Sequence, residues 1–592
     1  MCIDSDLPLN LIYIFKTFIE KYGLGLSWGD LIIFAGTTAI KDMGGPVLGF
    51  CAGRVDDSDG TDSVPLGPTP YQEALFPCPL NGNCSEPLGA SRIGLVYVDP
   101  QGHLADGSPK NAVDDIRNVF ARMGMNDTET VALIGGGHSF GKCHGACPAG
   151  PGLPPDQDPA DPWHGQCGTG KGADTYTSGI EGAWVTSPTV WSNEYFRNLV
   201  EYTWLLHLGP GGSFQWFQRN HTEFNIIMLT TDLALLKDKS YLSISNLFHD
   251  DIKELEKQFS HAWYKLSTRD MGPAIRCRGN RVPPAQSFQY PLPPPLPPSQ
   301  LANFDDVKNS IKMIILNPNN SIVVPDAGGY GPLFVRLAWQ CASTYRKTDY
   351  MGGCNGARIR FSPEKDWSAN AFLDKALQLL QPVKDQFGDS LSWADLIVLS
   401  GNVGLELSNT QLQLPFIGGR TDAVITDPPT PPFLENRLSG GMSTDTIALE
   451  YDVMLVWGLS TRELVALMGA GHGMGGMMHQ NRSGFIDGSW TSSPGKLSND
   501  YFRNLLDYQW IIVNQNSENI QYNTITTDGT TLNMLKTDLN LKYDPVYKAI
   551  VQEYAQDLDL FLADLTNAWT KIMTADLYDF ETCNLSCSYN QI

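Results

Sequence analysis

The chain has 592 residues, of which 42% are apolar, and a formal charge of −23. That length holds two domains with full cores, whereas the acidic balance excludes the basic surface needed for non-specific nucleic-acid binding. No apolar run reaches the roughly 18 residues that a bilayer-spanning helix requires.

Taken in order, Leu9–Phe18 is apolar, but acidic residues precede it and no small-residue cleavage site follows, so it does not read as a signal peptide. Helical spacing of apolar residues predicts helices over Asp114–Met123, Thr128–Ile134, Phe196–Leu208, Ala371–Phe387, Thr461–Met468 and Asp557–Met573. Pro382 is expected to kink or break the fourth. Gly/Pro-rich loops such as Cys147–Gly172 separate the helices, and strand-like alternation is scarce, so the fold class is mostly α. Close cysteine pairs (Cys78/Cys84, Cys143/Cys147, Cys583/Cys587) and sequons at Asn83, Asn126, Asn220, Asn319, Asn481 and Asn584 permit secretion without requiring it, and the compartment stays open.

The chain says nearly the same thing twice. ETVALIGGGH, ending at His138, recurs as ELVALMGAGH, ending at His472. SPTVWSNEYFRNL around Trp191 recurs as SPGKLSNDYFRNL around Leu497, MLTTDL around Asp232 as MLKTDL around Asp538, and AWYK at Trp263 as AWTK at Trp569. The last three pairs share one offset of 306 residues. SWGDLIIFAG from Ser27 matches SWADLIVLSG from Ser392. So long a period means duplicated domains rather than a solenoid. The Pro-rich run of residues 283–298 favours extended geometry and marks the join. The expected division is residues 1–282, a linker at 283–300, and 301–592.

The apolar run ending in Gly135–Gly137 and followed by His138 is the strongest chemical signal. Glycines let a flat ligand approach the backbone, and histidine is the commonest protein ligand to transition metals. The plain alternative is a buried or capping histidine. A dinucleotide loop fits poorly, because the G-x-G-x-x-G spacing and the preceding strand are missing. A zinc site built from His138, Cys143, His144 and Cys147 is a weaker option.

GLVYVDPQG from Gly94, RMGMND from Arg122, GGHSFGKCHG from Gly136, GTGKGAD from Gly168, TSGIEGAW from Thr177 and RDMGPAIR from Arg269 stand in the order found in catalase-peroxidases, the two-domain branch of the plant-type haem peroxidases. The chain resembles that family over nearly its whole length. The resemblance implies two duplicated haem-peroxidase-like helical domains and haem b, with His138 as axial ligand of the iron. It also implies hydrogen peroxide and small electron donors as substrates, and a homodimer. It makes Asp232 the acceptor of the other ring N–H of His138, with Trp191 sharing that carboxylate; for these two the plain alternatives are a helix cap and a core aromatic. Ser178 falls on a haem-propionate contact, and Lys142 and His144 lie in the same haem motif. Tyr97 and Met123 fall on the Met–Tyr–Trp adduct needed for peroxide dismutation, and Arg276 on a mobile arginine.

The departures are equally specific. The family's distal motif, Arg-x-x-Trp-His, supplies a base and a cation above the iron. It is approached only in GPLFVRLAWQ, which holds Arg336 and Trp339 but has Gln340 in place of the histidine. An amide is no base near neutral pH. Arg336 lies 57 residues before Trp393, so the first repeat's equivalent is expected upstream of Met1, which suits an incomplete chain better than a degenerate one. The second repeat retains Asn402, His472 and Asp538, has Leu497 for Trp191 and Trp457 for Met123, and offers His472 as a second axial ligand. Thr37 stands where Asn402 does. The expected function is a peroxide-consuming haem oxidoreductase, impaired in the chain as given. The alternative is an inactive pseudo-peroxidase with a structural or interaction role.

Overall fold

The computed structural model describes residues 7–57, 98–143, 182–209, 213–219, 226–318, 327–425, 456–476, 488–516 and 519–578, with positions 59, 180, 322 and 454 between them. Helices dominate, so the fold is mostly α. The chain divides into two compact units, one of residues 1–271 with 277–284 and one of residues 272–276 with 285–592.

In the first unit the helices are α1 (Leu7–Tyr22), α2 (Trp28–Asp42), α3 (Ala112–Arg122), α4 (Asp127–Gly137), α5 (Glu194–Glu201), α6 (Thr230–Ala234), α7 (Lys239–Asp250) and α8 (Ile252–Thr268). Between α5 and α6 lies an antiparallel sheet of β1 (Trp204–Leu208), β2 (Phe214–Gln218) and β3 (Ile227–Met228). The second unit has α9 (Phe304–Leu316), α10 (Tyr330–Ala342), α11 (Leu373–Phe387), α12 (Trp393–Ser408), α13 (Thr461–Gly473) and α14 (Asp500–Asp507). A second three-stranded sheet follows, β4 (Ile511–Asn516), β5 (Asn519–Ile525) and β6 (Thr531–Leu535), and then α15 (Lys536–Tyr543), α16 (Pro545–Gln556) and α17 (Leu558–Thr574).

The structure corrects several expectations. The helix predicted over Phe196–Leu208 stops at Glu201, and Trp204–Leu208 turns back as an edge strand whose residues after Trp204 are exposed. Pro382 does not break α11, which continues to Phe387. Gly135–Gly137 do not end the helix but form its last turn. Two of them are there for packing. A Cβ on Gly135 would lie 2.1 Å from Phe196, and one on Gly136 would lie 2.2 Å from Phe259, so α5 and α8 close directly onto the α4 backbone.

Both site helices start on a capping box, in which the N-cap side chain accepts the N3 amide and the N3 carboxylate accepts the N-cap amide. The pairs are Asn126 with Glu129 and Ser460 with Glu463. Lys265 and Lys571 on the packed helices α8 and α17 each reach the box carboxylate at 2.9 Å. Burial would push the Glu463 carboxyl up, but the Ser460 amide and Lys571 overcome it and hold it below its ordinary value. Its contribution is therefore present above the unfolded-state value and is lost as pH falls through the lower folded value. Glu463→Gln should cost about 1 kcal/mol in urea unfolding near pH 7. The gap to the parent should close in acid; a gap of constant size down to pH 3 would contradict this.

Candidate functional site: a buried carboxylate in each unit

In the first unit the sheet delivers the key acid. Strand β3 runs straight into α6, and Asp232 occupies the third position of that helix, where its Oδ2 accepts the Leu229 amide at 2.7 Å. This is a helix cap, but the same carboxylate does more. His138 Nδ1 lies 2.8 Å from Oδ1, the Tyr195 hydroxyl donates to Oδ1 at 2.7 Å, and the Trp184 indole N–H donates to Oδ2 at 2.7 Å. Asp232 is fully buried. Burial raises its carboxyl, yet the charge and hydrogen bond of His138, the Leu229 amide and the Tyr195 hydroxyl hold it below the ordinary range. Burial beside that carboxylate pushes the Tyr195 phenol well up, so it stays protonated and donates.

The indole that shares the carboxylate is therefore Trp184, not Trp191 as the sequence reading had it. Trp184 also stacks on the His138 ring, with centroids 4.0 Å apart and planes 12° from parallel. Trp191 packs between Phe140 and Phe259, and its buried N–H has no partner among the described residues, which is the core-aromatic alternative. The repeat carried the missed signal: Trp184 recurs as Trp490 at the offset that relates Asp232 to Asp538, whereas Trp191 becomes leucine.

The second unit repeats the arrangement. Asp538, fully buried on α15, lies 2.6 Å from His472 Nδ1 and accepts the Tyr501 hydroxyl at 2.5 Å, the Trp490 indole at 2.8 Å and the Leu535 amide at 2.7 Å. Trp490 stacks on His472 with centroids 4.5 Å apart. Leu497 is thus no loss from this site; like Trp191, it is a core residue.

Pinning Nδ1–H to a carboxylate leaves Nε2 as the lone-pair nitrogen of each ring. Among the described residues neither Nε2 has a protein partner, and His138 and His472 keep 16% and 24% of their side-chain surface accessible. The glycine before each histidine behaves unlike its neighbours. Among the described residues, a Cβ on Gly137 or Gly471 would meet nothing within 4 Å, so no described packing demands glycine there. An imidazole whose Nε2 has no partner among the described residues, next to a glycine with no described neighbour, fits a haem, whose axial histidine is tuned by its hydrogen-bonded acid.

The other predicted residues fall variously. Met123 packs against the first core and Lys142 is buried. Tyr97, His144 and Ser178 lie outside the described residues. Cys143 is disulfide-bonded and so is no thiolate for a zinc site. Arg276 belongs to the second unit, with its guanidinium 3.4 Å over the Tyr350 ring. Arg336 donates to the carbonyls of Ala369 and Ala371. Trp339 meets Trp457 edge to face at 5.2 Å, and Gln340 is buried on the same helix. Asn402 accepts the Trp569 indole N–H at 2.7 Å, as Thr37 accepts that of Trp263 at 3.1 Å.

A family model described as peroxidase matches residues 8–251 and 317–557, one match for each repeat. The catalase-peroxidase of Escherichia coli is 36% identical, with 98% of this chain and 81% of that protein aligned. Those of Saccharophagus degradans and Natronomonas pharaonis are each 35% identical over 95% of this chain, covering 80% and 83% of their own lengths. The chain belongs to the catalase-peroxidase family. As a catalase-peroxidase homologue it is an enzyme of the haem peroxidase kind, and each of its two buried carboxylate sites lies within a peroxidase match.

Proposed function

We propose that the chain consumes hydrogen peroxide with haem b held by Nε2 of His138, reducing peroxide at the expense of small electron donors and dismutating it. The observation that carries this reading is the buried Asp232 gathering His138, Trp184 and Tyr195. Bound haem supplies the iron that accepts peroxide and stores the oxidising equivalents. What the chain supplies is the setting. Asp232 accepts the hydrogen bond from Nδ1–H, which gives the imidazole anionic character and strengthens its donation through Nε2. Trp184 and Tyr195 fix the direction of the carboxylate, so the ring cannot turn. Tyr97, Met123 and Arg276 would serve the dismutation, and Ser178, Lys142 and His144 would line the cofactor. In the second unit Arg336 and Trp339 would stand over His472. A homodimer belongs to the same reading and is checked by sedimentation.

The test compares two tryptophans in the haem-supplied chain, with oxidation of a phenolic donor and oxygen release from peroxide as readouts. Trp184→Phe removes a donor to Asp232 and should cost about 10–100-fold in activity. Trp191→Phe should stay within about threefold of the parent, since its N–H bonds to no described residue. The reverse order would overturn the assignment, and full activity in His138→Ala would overturn the reading.

A further inference from the structure

We infer that the second unit holds a haem site of its own, with His472 Nε2 as the axial ligand and the amide of Gln340 where a peroxide-cleaving base would stand. The inference rests on the haem reading of the first unit and extends it to a site that differs in its distal chemistry.

Three observations point the same way. First, burying a carboxylate and an imidazole is costly, and a unit needed only as a scaffold is served as well by apolar side chains of that volume. Yet Asp538 is fully buried and the whole set of donors is present, His472, Tyr501, Trp490 and the Leu535 amide, all within 2.8 Å. Second, Gly471 sits inside α13, where glycine costs about 1 kcal/mol relative to alanine. Its neighbours explain themselves: a Cβ on Gly469 would strike Phe502 at 2.1 Å, and position 470 is already alanine. Of these, Gly471 alone has no described residue within 4 Å of its Cβ position, immediately before the histidine whose Nε2 has no protein partner among the described residues. Third, the family resemblance puts the distal motif of this unit on α10. Arg336, Trp339 and Gln340 share one face of α10 by their spacing. That helix is locked in position by α12, where Gly404 meets the Gly331 carbonyl and Gly401 meets Ala338. Near the proximal histidine, Gly475 lies against Pro332 at the start of α10, while α10 and α13 otherwise each pack on α17.

The distal residue sets what such a site does. Gln340 donates and accepts hydrogen bonds but takes no proton from peroxide at neutral pH. The site should therefore bind haem and small ligands such as cyanide while reacting slowly with hydrogen peroxide.

The experiment counts haem per full-length chain after supply of excess haemin, by the pyridine haemochrome, with far-UV circular dichroism and urea unfolding alongside. The parent should carry two haems, and His138→Ala and His472→Ala one each. Gly471→Leu should also carry one while folding as well as the parent, because no described residue lies within 4 Å of its Cβ position. In the His138→Ala background, Gln340→His should speed the reaction with hydrogen peroxide about 100-fold, the scale of a restored general base. A parent with one haem, lost in His138→Ala and kept in His472→Ala and Gly471→Leu, would overturn this inference and leave the first-unit reading standing. A chain that takes up no haem in any version would sink both.

Discussion

Asp232→Asn should lower peroxide turnover of the haem-supplied chain by about 10–100-fold. It should also destabilise the first unit by about 1–3 kcal/mol for each buried donor it strands. The substitution keeps the volume and removes the charge. The carboxylate now accepts four hydrogen bonds, from His138, Tyr195, Trp184 and the Leu229 amide. An asparagine offers one acceptor oxygen and turns an N–H₂ towards groups that are donors themselves. If the amide N–H₂ faces His138, the imidazole must present Nδ1 as acceptor and carry its proton on Nε2, which is then no ligand. If it faces Trp184 and Leu229, two N–H groups lose their partner inside the core. Steady-state kinetics and urea unfolding on the same preparation check both parts. Unchanged turnover would show that Asp232 serves only as the cap of α6.

Arg420→Ala should cost the second unit about 3–5 kcal/mol, the scale for removing one partner of a buried ion pair. The side chains of Arg420 and Asp395 keep 0% and 1% of their surface and meet at 3.0 Å. Arg420 also donates to the carbonyls of Ile417 and Met573, which ties the loop after α12 to the end of α17. Burial pushes the Asp395 carboxyl up even with Arg420 beside it, so without the cation its charge is stabilised, among the described residues, only by the amides of Gly419 and residue 420. The first unit holds the same device, Arg54 on Asp30, but both side chains are 11% exposed, and Arg54→Ala should cost less. Urea unfolding of the two variants measures the difference. A loss below about 1 kcal/mol for Arg420→Ala would contradict this expectation, since Arg420 also lies 3.5 Å from the buried Asp576.

Particular residues show how far the sequence could be read. Helices with one apolar stripe, such as α11 and α17, are visible from spacing alone because one period governs their burial. The strand Trp204–Leu208 was not visible: four of its five residues are exposed, so it has no buried face to impose alternation, and its apolar letters extend the helical pattern of α5. The helix predicted to Ile134 runs on through Gly135 and Gly136, which are glycine because phenylalanines 60 and more residues away need the space, a tertiary fact. His138, Asp232, His472 and Asp538 were legible through the repeat. Trp184 was overlooked in favour of Trp191, although only Trp184 recurs in the second half at the offset of the aspartates. What decides between the two indoles is which N–H reaches a carboxylate, and only coordinates carry that.

The account stands or falls on His138 as a haem ligand. The most direct measurement is the absorption spectrum of the haem-supplied chain in the His472→Ala background, with and without His138→Ala. The account predicts a sharp Soret band with His138 present and only the broad spectrum of loosely bound haem when both histidines are gone. An equal band in the double variant would contradict it.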